Sequence, residues 1–161
     1  MTKANKVPKP SVGAFLNMAR EYQSAANTLF PIAKEVTSPT YFLYAHTLEL
    51  AFKAYLGSHG CSVPQIHDLE SLCNSCQKHG LHVNRELANV IHLLESENKV
   101  HGFRYFTFAS TGIPEIGYLR QVVDNLMATV AKDVERTLNK DLNKEVVLKF
   151  IVGKPEKKVQ L

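Results

Sequence analysis

Apolar residues recur at three- and four-residue steps through Phe15, Met18, Tyr22, Ala26, Leu29, Ala33 and Val36, the spacing of one helical face, and Ser11 stands in front as an N-cap. Pro31 lacks an amide donor and crowds the preceding turn, which predicts a kink or restart near Phe30. Ser38 followed by Pro39 has the form of an N-cap with proline at the first helical position. A second helix is therefore expected from there through Leu56, stopping at Gly57. From Tyr41 to Leu56 twelve of sixteen residues are apolar, and of the four exceptions, His46, Thr47, Glu49 and Lys53, all but Thr47 form one stripe. A helix apolar in nearly every direction is buried against several others, so this one is the expected centre of the fold.

After a loop holding Gly60 and Pro64, Leu69, Leu72, Cys73 and Cys76 mark a short third helix, capped by Asp68 and ended by Gly80. With Gly80 left-handed, Leu81 should pack back against Cys76. Asn84 can cap a fourth helix with the face Leu87, Val90, Ile91 and Leu94, whose periodicity fades near Asn98. The stretch 103–113 lacks helical spacing. It returns in Ile116, Leu119, Val123, Leu126, Val130 and Val134, which predicts a last long helix from Pro114 to Asn139. Val146–Val152 is β-branched and aromatic, and its pattern allows a small antiparallel ribbon with Phe103–Ala109. The expected fold class is mainly α: one domain over residues 1–161, an antiparallel bundle of four to five helices, with tails at 1–10 and 154–161.

Composition narrows the functional classes. At 161 residues and 45% hydrophobic content the chain can bury one continuous core. Its longest apolar stretch falls short of a bilayer span, and the N-terminus has no signal-peptide core, so a cytoplasmic location without membrane association is expected. Three cysteines cannot all pair internally, and no disulfide is expected. The net charge of +4 would help approach to nucleic acid without requiring it.

Cys73, Cys76, His79 and His82 offer four residue types that bind zinc. On a continuous helix Cys73 and His82 would stand about 13.5 Å apart along the axis, too far to share one ion, so no metal is expected there. Arg85 and His92 are seven apart and could act together on a phosphodiester, the arginine stabilising negative charge and the histidine moving a proton. They share their face with Asn89 and Ser96, opposite the apolar face, as on a solvated helix surface. Glu49 and Lys53 stand in the favourable i, i+4 orientation. Either they form a solvated ion pair or, since the rest of the helix is apolar, they are lined up in a groove. Phosphate-loop, nucleophile-elbow and dinucleotide fingerprints are absent, and no cofactor is expected.

The run Tyr44–Leu56, with Glu49-Leu50, Lys53-Ala54 and Leu56, followed by His67-Asp68-Leu69 and Leu72, resembles bacterial proteins of the HEPN superfamily (higher eukaryotes and prokaryotes nucleotide-binding). Phe103-Arg104-Tyr105 resembles the R-Y that follows their fourth helix, so the likeness covers roughly residues 40–130. The resemblance implies a helical bundle, frequent homodimers, and roles in toxin-antitoxin or defence systems that include RNA cleavage as well as RNA or nucleotide binding. Catalytic members carry an arginine a few residues ahead of a histidine. Here Asn98 and His101 are the nearest match, and Leu94, Glu95 and Ser96 stand where the arginine belongs. The leading expectation is a non-catalytic or degenerate module binding RNA, a nucleotide or a protein through Glu49, Lys53, His67, Asp68, Arg104 and Tyr105. The alternatives are a metal-independent endoribonuclease using His101 or the Arg85 and His92 pair, and a structural partner subunit of a nucleotidyltransferase-like protein.

Overall fold

A computed structural model describes residues 10–99 and 112–152, with side chains over 10–95 and 112–142. Among these residues five helices pack as a bundle: α1 (Val12–Leu29), α2 (Thr37–Ser58), α3 (Leu69–Lys78), α4 (Arg85–Lys99) and α5 (Ile116–Val152). A 3-10 turn at Phe30–Ile32 joins α1 to the segment before α2, where Pro31 removes a ladder donor. Among the described residues there is no strand, and no helix is long and apolar enough to cross a membrane.

Helix α2 is the centre. It packs on α1, α3 and α5, while α4 closes against α3 and α5. Tyr44, Leu48, Phe52 and Leu56 are fully or almost fully enclosed, and they join Leu72, Leu94, Leu119, Val123 and Val130 in one buried cluster. Burying each such side chain stabilises the fold by roughly 1.5–3 kcal/mol. On α1 the interior line is Leu16, Ala19 and Ala26, with Phe15, Met18 and Tyr22 packed partly buried beside it. The small alanines let the α1 and α2 backbones approach closely.

The helix ends follow side-chain chemistry in most cases. Ala14 N donates to Ser11 Oγ (3.2 Å), Ser71 N to Asp68 Oδ1 (2.7 Å) and Leu87 N to Asn84 Oδ1 (2.9 Å), three caps in the expected places. At the end of α3, Gly80 adopts φ +98°, Leu81 N donates to Cys76 O (3.1 Å), and both Leu81 and Cys76 are buried.

Several expectations are corrected. Ser38 is not a cap: α2 starts two residues earlier than expected, at Thr37 on Val36, which makes no side-chain cap bond, and Ser38 Oγ is buried with no partner among the described residues. Thr37 and Thr40 turn their hydroxyls back onto the carbonyls of Ala33 and Val36, which lets the chain enter the helix before the Ser-Pro pair. Nor does α2 stop at Gly57. It continues to Ser58 and ends where Gly60 takes φ +73° and Cys61 N donates to Leu56 O (3.0 Å). Gly57 serves packing instead, because a Cβ there would lie 2.8 Å from Val12 Cγ2.

Helix α5 opens on Glu115, whose carboxylate accepts from Gly117 N (2.9 Å) and Tyr118 N (2.8 Å) and is thereby held below its ordinary range. It runs past Asn139 to Val152, so residues 146–152 are helical and do not form a ribbon strand. Extending an established helix adds one hydrogen bond per residue, and the β-branched penalty of under about 1 kcal/mol per residue does not stop it. The proposed partner strand, 103–109, lies outside the described residues.

Candidate functional site

The polar stripe of α2 is buried rather than solvated. Glu49 and Lys53 are 7% and 8% exposed on an otherwise apolar helix. Lys53 Nζ donates to Glu49 Oε1 at 2.7 Å, and His67 Nδ1, from the loop before α3, reaches the same oxygen at 2.9 Å. His46 Nδ1 lies 3.4 Å from the other oxygen, Oε2. Its ring is stacked on Phe42 (5.7 Å between centroids) and meets Tyr22 of α1 edge-on (4.5 Å). One carboxylate thus gathers two imidazoles and an ammonium from two elements.

Burial by itself raises the proton affinity of Glu49. Hydrogen bonds from His46 and Lys53, and the charges of both, outweigh it and bring the carboxyl down to about 2. Glu49 is therefore an anion throughout the neutral range, and its charge orients the groups around it. An isolated buried pair gives little net stability, since desolvation offsets attraction, so the arrangement is better read as positioning.

Lys53 and His67 both line an open groove of about 560 Å³. Ser62 and Gln65 add polar groups to its lining, and Pro10, Phe15, Val63 and Pro64 add apolar ones. Where α1 comes close to α2 at Gly57, Val12 and Val63 both lie against the glycine, 2.8 and 3.4 Å from where a Cβ would stand. A lining that combines basic and apolar side chains fits a ligand that carries an anionic group and an apolar body.

The other sequence candidates fall elsewhere. Asp68 caps α3. Cys73 and Cys76 are buried; Cys76 Sγ donates to Phe52 O (3.5 Å), and burial pushes the Cys73 thiol up to about 11 and that of Cys76 further. His79 turns its Nδ1 onto Ser75 O (2.8 Å), and His82 is exposed. Among the described residues no group of three or more His, Cys, Asp or Glu side chains converges as a metal site. Arg85 and His92 are both exposed, with His92 Nδ1 3.0 Å from Glu70 Oε1 across the α3/α4 contact. Asn98 is helical in backbone, and His101, Arg104 and Tyr105 lie outside the described residues.

Two features escape the sequence reading. The loop residues Ser62, Val63, Pro64 and Gln65 line the groove but have no periodicity to announce it. Glu95 is 3% exposed and accepts from Leu69 N (2.8 Å), holding the first turn of α3 against α4. Its signal was present, since Leu87, Ile91 and Glu95 continue one four-residue row on the buried face.

No curated protein and no solved structure matches the chain. The HEPN domain family matches residues 12–139, which takes in α1 to α4 and most of α5 and extends beyond the motifs around Glu49 and His67. The chain belongs to the HEPN domain family.

Proposed function

We propose that this protein is a binding module for single-stranded RNA or a nucleotide, with the phosphate at Lys53 and His67 and a base against Phe15 and Pro64. The observation that carries the reading is the buried Glu49 carboxylate, which meets Lys53 and His67 where both line a groove that also has apolar residues in its lining. Phosphate takes charge-assisted hydrogen bonds from such groups, and bases stack on aromatic faces regardless of sequence. Glu95 supports a binding role over a cleaving one: upstream of His101, where a catalytic arginine would stand, the chain places a buried carboxylate engaged with the α3 backbone. The same reading makes the chain a homodimeric component of a toxin-antitoxin or defence pair.

Anisotropy of a labelled single-stranded RNA tests this. Lys53→Met should weaken binding about tenfold and lower the salt slope by about one. Phe15→Ala, which leaves the charges in place, should also weaken it, since a stacked base contributes roughly 1–3 kcal/mol. Unchanged affinity in both variants rules the groove out. RNA cleavage that disappears in His101→Ala or His92→Ala would replace the reading with an endoribonuclease.

A further inference from the structure

We propose that the groove is one end of a longer track: the rings of Phe42, His46 and Tyr22 form a second base-stacking position, so the ligand class is a single-stranded oligonucleotide rather than a mononucleotide. The inference rests on the reading of the groove as a phosphate and base site and extends that site along the seam between α1 and α2.

Three contacts fix how these two helices lie. Val12 meets Gly57, Phe15 and Lys53 line the groove together, and the rings of Tyr22 and His46 are 4.5 Å apart. Positions rise along α1 as they fall along α2, which is an antiparallel pair in nearly constant register. Phe15 and Tyr22 are seven residues apart, and so are His46 and Lys53. Seven residues make two helical turns less about 20°, so each pair shares a face of its helix, and the rings stand about 10 Å along the seam from the groove. A stacked strand advances about 3.4 Å per nucleotide, so the interval corresponds to about three nucleotides.

The second position has the form of a platform. The rings of Phe42 and His46 are nearly parallel, with 9° between their planes and 5.7 Å between centroids, and Tyr22 closes edge-on against the imidazole. Nδ1 of His46 is also 3.4 Å from Glu49 Oε2, which ties the platform to the carboxylate that meets Lys53 at the groove. Phe42 is 36% exposed, a large apolar ring left at the surface of α2. Rings already held by their neighbours lose little freedom when a base stacks on them.

The charges of the seam favour bases over phosphates at this end. The helices α1 and α2 carry one arginine and one lysine, and Arg20 is turned to Glu135 of α5. A longer strand therefore gains affinity by stacking, without further phosphate contacts, and its salt dependence should match that of a short one.

The test is calorimetric titration of the full chain with uridine monophosphate and with oligouridylates of increasing length, each at low and at moderate salt. Affinity should step up about fivefold or more once the strand exceeds about three nucleotides, with no steeper salt slope. Phe42→Leu, which keeps apolar volume but has no ring, should remove the step while the mononucleotide binds as before, and Phe42→Tyr should retain it. Affinity that does not change with length, or a step that survives in Phe42→Leu, overturns the proposal and leaves the groove as a mononucleotide site. A step accompanied by a steeper salt slope overturns it too, since the added contacts would then be to phosphate. Loss of self-association in Phe42→Leu, seen by sedimentation with oligouridylate affinity unchanged, would assign the rings to a contact between copies instead. No binding of any length overturns the groove reading itself, and this inference with it.

Discussion

Replacing Glu49 by alanine leaves an ammonium at position 53 with 8% exposure and no counter-charge at 2.7 Å. Removing one partner of a buried ion pair costs about 3–5 kcal/mol, because the remaining charge stays desolvated. The four-carbon stem of Lys53 allows some escape towards the groove, which puts Glu49→Ala near 3 kcal/mol, the low end of that range. An independent route gives a similar size. A carboxyl brought from its ordinary range to about 2 stores about 3 kcal/mol, at about 1.4 kcal/mol for each tenfold change in proton affinity. Since the folded value is depressed, this stability is fully present above the unfolded carboxyl range near 4.3 and is lost as pH falls from there towards 2. The assay is urea denaturation of wild type, Glu49→Ala, Lys53→Met and the double variant at neutral pH, with wild type and Glu49→Gln followed down to about pH 2.5. Each single variant should lose about 3 kcal/mol, and the double variant clearly less than their sum. The gap between wild type and Glu49→Gln should close as pH falls. Single losses below about 1 kcal/mol that add in the double variant would refute the reasoning, for that is the behaviour of a solvated pair.

Three further predictions follow from the packing. Gly57→Ala should not yield the roughly 1 kcal/mol gain of alanine over glycine in a helix and should be net destabilising, because its Cβ would meet Val12 Cγ2 at 2.8 Å. Adding Val12→Ala should recover part of that loss in thermal melts. Gly80→Ala should cost about 1–2 kcal/mol through backbone strain at φ +98°, since the nearest atom to its Cβ, Tyr55 Oη, is at an ordinary 3.7 Å. In thiol labelling at neutral pH, Cys61 should react first, while buried Cys73 and Cys76 should react only on unfolding; fast reaction of Cys76 would contradict its place in the core.

Local chemistry was readable where one side chain decides the outcome. Ser11, Asp68 and Asn84 cap because each carries an oxygen within reach of its own helix start, and Gly80 ends α3 because left-handed backbone favours glycine. The same logic misplaced the limits of α2. Ser38-Pro39 and Gly57 carry boundary signals, yet threonine back-bonding and the close passage of Val12 determine where that helix begins and how it packs. Residues 146–152 read as a strand by composition and are helical because α5 was already under way.

By itself, then, the sequence determined the mainly helical class, the central and buried place of α2, and the motifs of the HEPN family, since these rest on periodicity and short-range order along the chain. What only the tertiary structure decided was the state of Glu49 and Lys53. Spacing alone is the same for a solvated stripe and for a buried pair. The difference is made by packing, which leaves Glu49 7% exposed, and by the loop before α3, which brings His67 to it across eighteen residues of chain.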